Sequence, residues 1–168
     1  MTVQDSLRGS AVTLRPAADG DYDAISDMAR EIVDAGDVFV FEDVQDIIDY
    51  WQAPAARVYV AEVDGKVLGT YVLKPNQKGR GAHVANAGYI VATAARGLGL
   101  GRTMGEHSIE LARSLGYRAM QFNMVIETNT GAVRLWESLG FETTGRLPGA
   151  FRHPEQGFVD ALVMYRHL

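Results

Sequence analysis

Helical and strand periods alternate along the chain in an order that predicts its fold before any motif is considered. Ser10 to Ala17 reads as a first strand, stopped by Pro16. From Asp19 to Gly36 the apolar residues Ile25, Met28, Ile32 and Val33 recur at helical spacing behind an acidic first turn, and Gly36 stops the run. Glu42 to Pro54 repeats that pattern more briefly, with Val44, Ile47, Ile48 and Trp51 on one apolar face. An aromatic loop, GDVFVFED, lies between the two helices. Arg57 to Pro75 holds two β-branched and aromatic runs joined through Asp64-Gly65, a pair suited to the positive φ angles of a tight hairpin. His83 to Ala92 reads as a strand and Leu100 to Leu115 as a helix. In Arg118 to Glu127 the residues Met120, Phe122, Met124 and Ile126 alternate with Ala119, Gln121, Asn123 and Val125, the period of a strand. A short helix from Asn129, closed by Gly140, precedes two last strands, Phe141 to Gly149 and Gly157 to Leu168. The order βααββ, βαβ, αββ predicts an α/β (α+β) fold: a mixed seven-stranded sheet flanked by about four helices, antiparallel at first and parallel across the central crossover.

Composition narrows the chemistry. A chain of 168 residues with 47% hydrophobic content suits one domain, 1–168. Met1 to Ser10 has no basic and apolar leader pattern, and no apolar run is long enough to span a membrane, so the expected setting is the cytoplasm. The absence of cysteine excludes disulfides, thiolate metal sites and a cysteine nucleophile. A formal charge of -5 argues against nucleic acid as a partner. Four histidines without paired spacing suggest no metal, and His107 is expected to face solvent. An anionic ligand would therefore need a local basic site.

The turn VATAARGLGLGR, Val91 to Arg102, offers one. Helix N-termini expose unpaired N–H groups and carry partial positive charge, so a glycine turn leading into a helix is suited to anions. A Walker loop would need a lysine that the turn lacks, and a dinucleotide fingerprint would need a third glycine where Arg102 or Met104 stands. The pattern that is met is R-x-x-G-x-G, through Arg96, Gly99 and Gly101. Taken alone, the same glycines could serve tight packing of helix on sheet, with Gly101 and Gly105 as small contact residues.

The turn resembles the acyl-CoA pyrophosphate loop of the GNAT superfamily of N-acetyltransferases, in the expected place after the fourth of seven strands. The downstream run NTGAVRLWESLGF is similar to a second motif of that superfamily, through Asn129, Ala132, Leu135, Glu137, Gly140 and Phe141. The resemblance implies acetyl-CoA (CoA) as cofactor, held by the backbone of Gly97, Leu98, Gly99, Leu100, Gly101 and Arg102. Arg96 and Arg102 would supply the positive charge. It also implies direct attack of an amine on the thioester, with backbone N–H groups near Ile90 or Val91 stabilising the oxyanion. A small-molecule acceptor and a homodimer would be ordinary for the family.

One departure narrows the resemblance. Trp136 stands where many members carry a tyrosine thought to protonate the leaving thiolate, and an indole N–H cannot titrate near neutral pH. Trp136 is expected to pack against CoA or the core. The segments VANAGY, QFNMV, ETNTGA and LWESLGFETTGRLPGAFRHPEQGF are similar to the proline-analogue N-acetyltransferases, which act on L-azetidine-2-carboxylate and thereby detoxify it. That resemblance implies that Asn86 orients the substrate, Asn123 lies at the reacting acetyl or amine, and Asn129 contacts the CoA thiol region. Asparagines bridging a bulge or a strand splay are the alternative reading for Asn86 and Asn123, and a bulge in the strand from His83 would shift which side chains face the site.

The general base is open among His83, Glu62 and Glu127 by residue type. Substrate selection is expected from Phe39 and Phe41 in the first aromatic loop and from Phe151, Arg152 and His153 near the last hairpin. Another acceptor, such as a phosphinothricin-like amino acid, a simple amine or a protein N-terminus, would keep the cofactor loop and change only these loops. A non-catalytic acyl-CoA sensor would bind acetyl-CoA without turnover.

Overall fold

The computed structural model describes residues 9 to 168; the leaderless reading of Met1 to Ser10 falls mostly on residues 1 to 8, outside the described residues. Its elements follow the predicted order. Strand β1 (Val12–Pro16) leads through a short 3-10 turn into α1 (Tyr22–Ala35) and α2 (Val44–Trp51). Then come β2 (Arg57–Val63), β3 (Lys66–Pro75), β4 (Val84–Val91), α3 (Leu100–Ser114), β5 (Ala119–Ile126), α4 (Thr130–Ser138), β6 (Glu142–His153) and β7 (Gly157–His167). Among the described residues no helix is long and apolar enough to cross a membrane.

The seven strands form one sheet in the order β1-β2-β3-β4-β5-β7-β6. Only β4 and β5 run parallel, joined by the crossover through α3; the other neighbours are antiparallel. The β2–β3 hairpin turns at Asp64 (φ 50) and Gly65 (φ 75), two successive left-handed residues whose twist matches that of the flanking strands.

The core lies between the sheet and its helices. From α1 it takes Ile25, Met28 and Ile32, and from α2 Ile47 and Trp51, while Val33, Val44 and Ile48 pack at its margin. Trp51 is fully buried and donates from Nε1 to the buried Thr70 Oγ1 at 3.1 Å, so its indole costs no unpaired polar group. In α3, His107 departs from the solvent-facing expectation. Its Nδ1 is 2.7 Å from the Tyr71 hydroxyl and its ring packs on Tyr59 and Tyr71. Burial lowers its pKa below the usual histidine value.

Two irregularities interrupt the middle of the sheet. Strands β4 and β5 are in register only at Val84↔Ala119 and Ala85↔Met120, and beyond that point they part. Against β7, β5 keeps Phe122↔Met164 and then resumes at Val125↔Leu162, so Asn123 and Met124 together face one residue, Val163. The bulge is thus in β5. Strand β4, where the sequence allows one, pairs with β3 without a break from Gly69↔Val91 to Pro75↔Ala85.

Candidate active site

The parting of β4 from β5 opens a fork, and a cavity of about 550 Å3 occupies it. One wall is β4, through Asn86 to Tyr89 and Val91; the other is β5, through Phe122 to Ile126. The Asn123–Met124 bulge breaks the predicted stripe: Val125 and Ile126 are both buried, while Met124 is half-exposed. Segment 37–41, which follows α1, forms a further wall together with Tyr50, and Arg96, Asn129, Ala132 and Trp136 stand at the glycine-turn end.

Ladder parity decides which backbone groups face the fork. Asn76 N–H donates to Val84 O and Ala92 N–H donates to Leu68 O, so even-numbered residues of β4 turn their N–H and C=O toward β3. The odd-numbered residues, Tyr89 and Val91 among them, turn theirs toward β5, where pairing has ceased. Of the two expected oxyanion donors, Val91 therefore fits. Ile90 does not: its N–H is directed to β3, and its side chain is buried off the cavity wall.

Asn86 sits where the strands part. Its Nδ2 donates to Gln121 O at 3.0 Å, and its Oδ1 accepts from the Tyr50 hydroxyl at 3.0 Å. Had the parallel ladder continued, Gln121 O would have been the acceptor for the next fork-facing N–H of β4. The side-chain amide takes that place and stops the zipper, which is the splay-bridging alternative rather than a free substrate-orienting group. Tyr50 is held in turn: Lys74 Nζ lies 3.4 Å from its ring centroid, and burial raises its hydroxyl pKa, keeping it a donor.

Asn123 is exposed at the cavity and belongs to a side-chain relay. It accepts from Gln121 Nε2 at 2.9 Å and donates from Nδ2 to Asn76 Oδ1 at 2.7 Å. Asn129 lines the cavity and caps α4, its Oδ1 accepting from Ala132 N–H at 3.2 Å. Trp136 is buried, with its ring centroid 4.7 Å from that of Tyr89 and 4.8 Å from that of Phe122, the packing role expected of it. The Tyr89 hydroxyl is occupied by Ser108 Oγ at 2.7 Å, and burial drives its pKa up, so it offers no acid near neutrality.

In the glycine turn the two readings divide by position. Gly97 (φ 80) and Gly99 (φ 84) are left-handed, and a Cβ on either would meet nothing within 4 Å: these glycines serve backbone shape and open space. A Cβ on Gly101 would lie 3.3 Å from Leu135, and one on Gly105 only 2.7 Å from Leu139 and 3.1 Å from Trp136; these two serve packing of α3 on α4. Thr103 N–H is the first to find a partner within α3, at Gly99 O, so helix geometry leaves the N–H groups of Leu100, Gly101 and Arg102 without one. Leu100 contributes only its backbone, since its side chain is in the core, and Leu98 is half-buried against it. Arg102 is drawn toward α4, donating to Ser138 Oγ at 2.8 Å with Glu106 Oε1 at 3.6 Å.

None of the three candidate bases reaches the cavity. His83 is exposed in a separate hollow beside Arg57 and Tyr117. Glu62 is bound by Arg15, and Glu127 by Arg146. Phe39 and Phe41 do line the cavity, stacked at 6.2 Å. Phe151 and His153 do not. Phe151 is buried in a small cluster with Ile126 and Ala161, behind the cavity wall, and His153 uses Nδ1 to accept from Glu155 and Gln156 N–H in its own turn. Arg152 reaches Glu42 at 2.8 Å and so ties the last hairpin to the aromatic loop.

Sequence reasoning misses Asp37 and Tyr50, which also line the cavity. Asp37 opens the segment DVFVF directly after the helix-stopping Gly36, where an acidic residue reads as a solvated loop. Tyr50 lies one position from the apolar face of α2, where it reads as core margin. Only burial and partners distinguish them.

Comparison with known proteins bears on this arrangement. Residues 24–141 match the model of the acetyltransferase (GNAT) family. The N-acetyltransferase aca1 of Schizosaccharomyces pombe is 35% identical over 118 residues, covering 68% of this chain; the match spans 56% of that protein's length. A GCN5-related N-acetyltransferase from Kribbella flavida superposes with a TM-score of 0.90 at 45% identity, over 94% of this chain and 98% of that one. The structure of yncA from Salmonella typhimurium, solved with its cofactor acetyl-CoA, has a TM-score of 0.82 at 25% identity, over 95% of each chain.

Proposed function

This chain belongs to the GNAT family of acetyltransferases, and we propose that it transfers the acetyl group of acetyl-CoA to the amine of a small amino acid, in the narrowest form of the reading a proline analogue. The observation that carries the proposal is the fork itself. It joins, in one cavity, Val91, whose backbone N–H ladder parity turns toward the gap, an aromatic chamber at Phe39 and Phe41, and the arginine that precedes the glycine turn.

The residues present fit acetyl-CoA. Open space beside Gly97 and Gly99 leaves the turn's backbone accessible, and the N–H groups of Leu100, Gly101 and Arg102 are suited to a pyrophosphate. Each such helix-end contact is worth about 0.3 to 1 kcal/mol when exposed, and up to ~2 when partly buried. When bound, acetyl-CoA supplies an acetyl group activated as a thioester. Val91 N–H is suited to receive a carbonyl oxygen in the fork, and a preorganised backbone donor loses little on reorganisation. Arg96 stands at the glycine-turn end of the cavity. Trp136 closes the wall between α4 and β5 and contributes shape, not a proton. With no cysteine in the chain, one-step transfer between two bound substrates is the economical course.

Support for a small, partly apolar acceptor comes from the chamber's size and its phenyl walls. Asn86, Asn123 and Asn129, which match the proline-analogue enzymes in sequence, all line the cavity, although Asn86 and Asn129 also hold strand and helix in place. The homodimer, the cytoplasmic setting and a detoxifying role that the resemblance implies belong to the same proposal.

The test is release of free CoA from acetyl-CoA by purified protein across azetidine-2-carboxylate, cis-4-hydroxyproline, phosphinothricin, simple amines and an N-terminal peptide, with acetyl-CoA binding followed in parallel. Turnover confined to the cyclic amino acids is the expected result. Turnover with another class would remove the substrate and keep the reaction; binding without turnover of any acceptor would favour a sensor.

A further inference from the structure

Asp37 Oδ1 is the one side-chain polar atom among the described residues that is buried without a hydrogen-bond partner. Asp37 is one of the residues that line the fork cavity. Leaving a carboxylate oxygen dry and unpaired costs more than leaving a neutral group so, because the lost hydration is that of a charge. Two carboxylates six residues to either side have donors: Glu31 accepts from Thr93 N–H at 2.7 Å, and Asp43 accepts from Gln45 N–H at 2.6 Å. Folding has left Asp37 with an unmet demand for an N–H or O–H donor.

Its surroundings define which donor. Gly36, left-handed at φ 64, ends α1 and turns the chain so that Asp37 and the following Val38 to Phe41 enter the cavity wall. Phe39, Phe41 and Tyr50 stand on the same wall, with Phe41 and Tyr50 ring centroids 5.5 Å apart. A carboxylate in a cavity that aromatic rings also line is suited to an organic ammonium, whose charge pairs with the carboxylate while its carbon skeleton and N–H edge meet ring faces. An anionic acceptor lacking an amine would meet like charge here, and a neutral one would leave the carboxylate unpaired.

We propose that Asp37 is the acceptor anchor of this site, its carboxylate accepting a hydrogen bond from the ammonium of the incoming amine and restricting the acceptor class to cationic amines. The inference rests on the acetyl-transfer reading for its place in the reaction, but the binding it describes does not require turnover. The one unpaired oxygen in the free protein is then a stability cost held for recognition.

The experiment compares wild type with Asp37→Asn and Asp37→Glu. Azetidine-2-carboxylate and benzylamine, and the amine-free analogues cyclobutanecarboxylate and benzyl alcohol, are titrated into CoA-loaded protein by calorimetry. Steady-state kinetics are measured on whichever amine the wild type acetylates, and melting temperatures are recorded throughout. Asp37→Asn should weaken binding of the amines by roughly tenfold or more, the loss of one charge-assisted hydrogen bond. It should leave the amine-free analogues and the KM for acetyl-CoA within about twofold, and Asp37→Glu should recover part of the amine affinity. The melting temperature of Asp37→Asn should stay level or rise, since a neutral amide is less costly to bury than a carboxylate. Equal affinity of wild type and Asp37→Asn for the amines would overturn the proposal, as would a wild type that binds no amine. A lower melting temperature with unchanged amine binding would assign Asp37 a structural role instead. If amines bind through Asp37 and none is acetylated, the anchor stands and the acetyl-transfer reading falls.

Discussion

At the scale of single residues, the site is built from side chains that hold the scaffold and border the cavity at once. Asn86 is the clearest case, since its amide replaces a backbone ladder bond and also fixes Tyr50. Asn86→Ala strands Gln121 O and the Tyr50 hydroxyl, and each unpaired buried group costs about 1 to 3 kcal/mol. Urea denaturation should register a loss in that range, and an unchanged midpoint would mean that water satisfies both groups. Trp136→Phe keeps an aromatic ring beside Tyr89 and Phe122 and removes the indole N–H together with part of the buried ring, so the melting temperature should fall while kcat should stay within about threefold of wild type. A collapse in kcat measured by CoA release would return a chemical role to the indole. His107 makes a prediction in pH. Its native pKa lies below 6.5, so as pH falls through about 6.5 the unfolded chain takes up a proton that the folded ring refuses, and stability declines until the native ring titrates in turn. Between pH 7.5 and 5.5 the melting temperature of wild type should fall more steeply than that of His107→Gln; parallel curves would show that His107 does not carry this dependence.

At the scale of elements, two irregular strands and one turn make the site. A regular β4–β5 ladder would close the fork, and the β5 bulge shifts the alternation of side chains beyond Phe122. Within the turn, the glycines separate into two kinds that substitution should distinguish. Gly99→Ala forces a side chain into a left-handed conformation costing about 1 to 2 kcal/mol, and reshapes the start of α3; acetyl-CoA binding by calorimetry should weaken by roughly tenfold. Gly105→Ala drives a methyl into Leu139 and Trp136, where the cost is overpacking of about 1 to 3 kcal/mol, and its signature is a lower melting temperature. If both variants lose only stability, the turn is a packing device and the anion-binding reading of Gly99 fails.

At the scale of the whole molecule, the sheet converts a crossover into a reaction chamber. The βαβ crossover brings Arg96, just ahead of α3, to one end of the fork, and the excursion from α1 to α2 lays Asp37, Phe39 and Phe41 at the cavity. On the proposed reading, cofactor and acceptor approach the same gap from different elements and are bound together. Initial rates measured against acetyl-CoA and acceptor should give intersecting double-reciprocal lines, the pattern of a ternary complex. Parallel lines would demand an acetylated side chain, which in this chain could not be cysteine.

What the sequence determined by itself is what depends on local period and local backbone preference. Apolar spacing in α1 and α2, the Asp64-Gly65 hairpin and the left-handed glycines at 97 and 99 all act over a few residues, and element order and the shape of the glycine turn were legible from them. Ladder parity, the β5 bulge and the fork were not, because each depends on the register of strands far apart in the chain. Asn86 shows the difference: its residue type announced an amide needing partners, but Gln121 and Tyr50 became those partners only through folding. The same holds for the groups misassigned. His83, Glu62 and Glu127 have the right chemistry for a base, and Arg15 and Arg146 claim two of them while a separate hollow holds the third. Asp37 looked like an ordinary loop acid until tertiary structure buried one oxygen and gave it no partner. A side chain's chemistry is local, whereas its solvation and its partners are set by everything that packs around it.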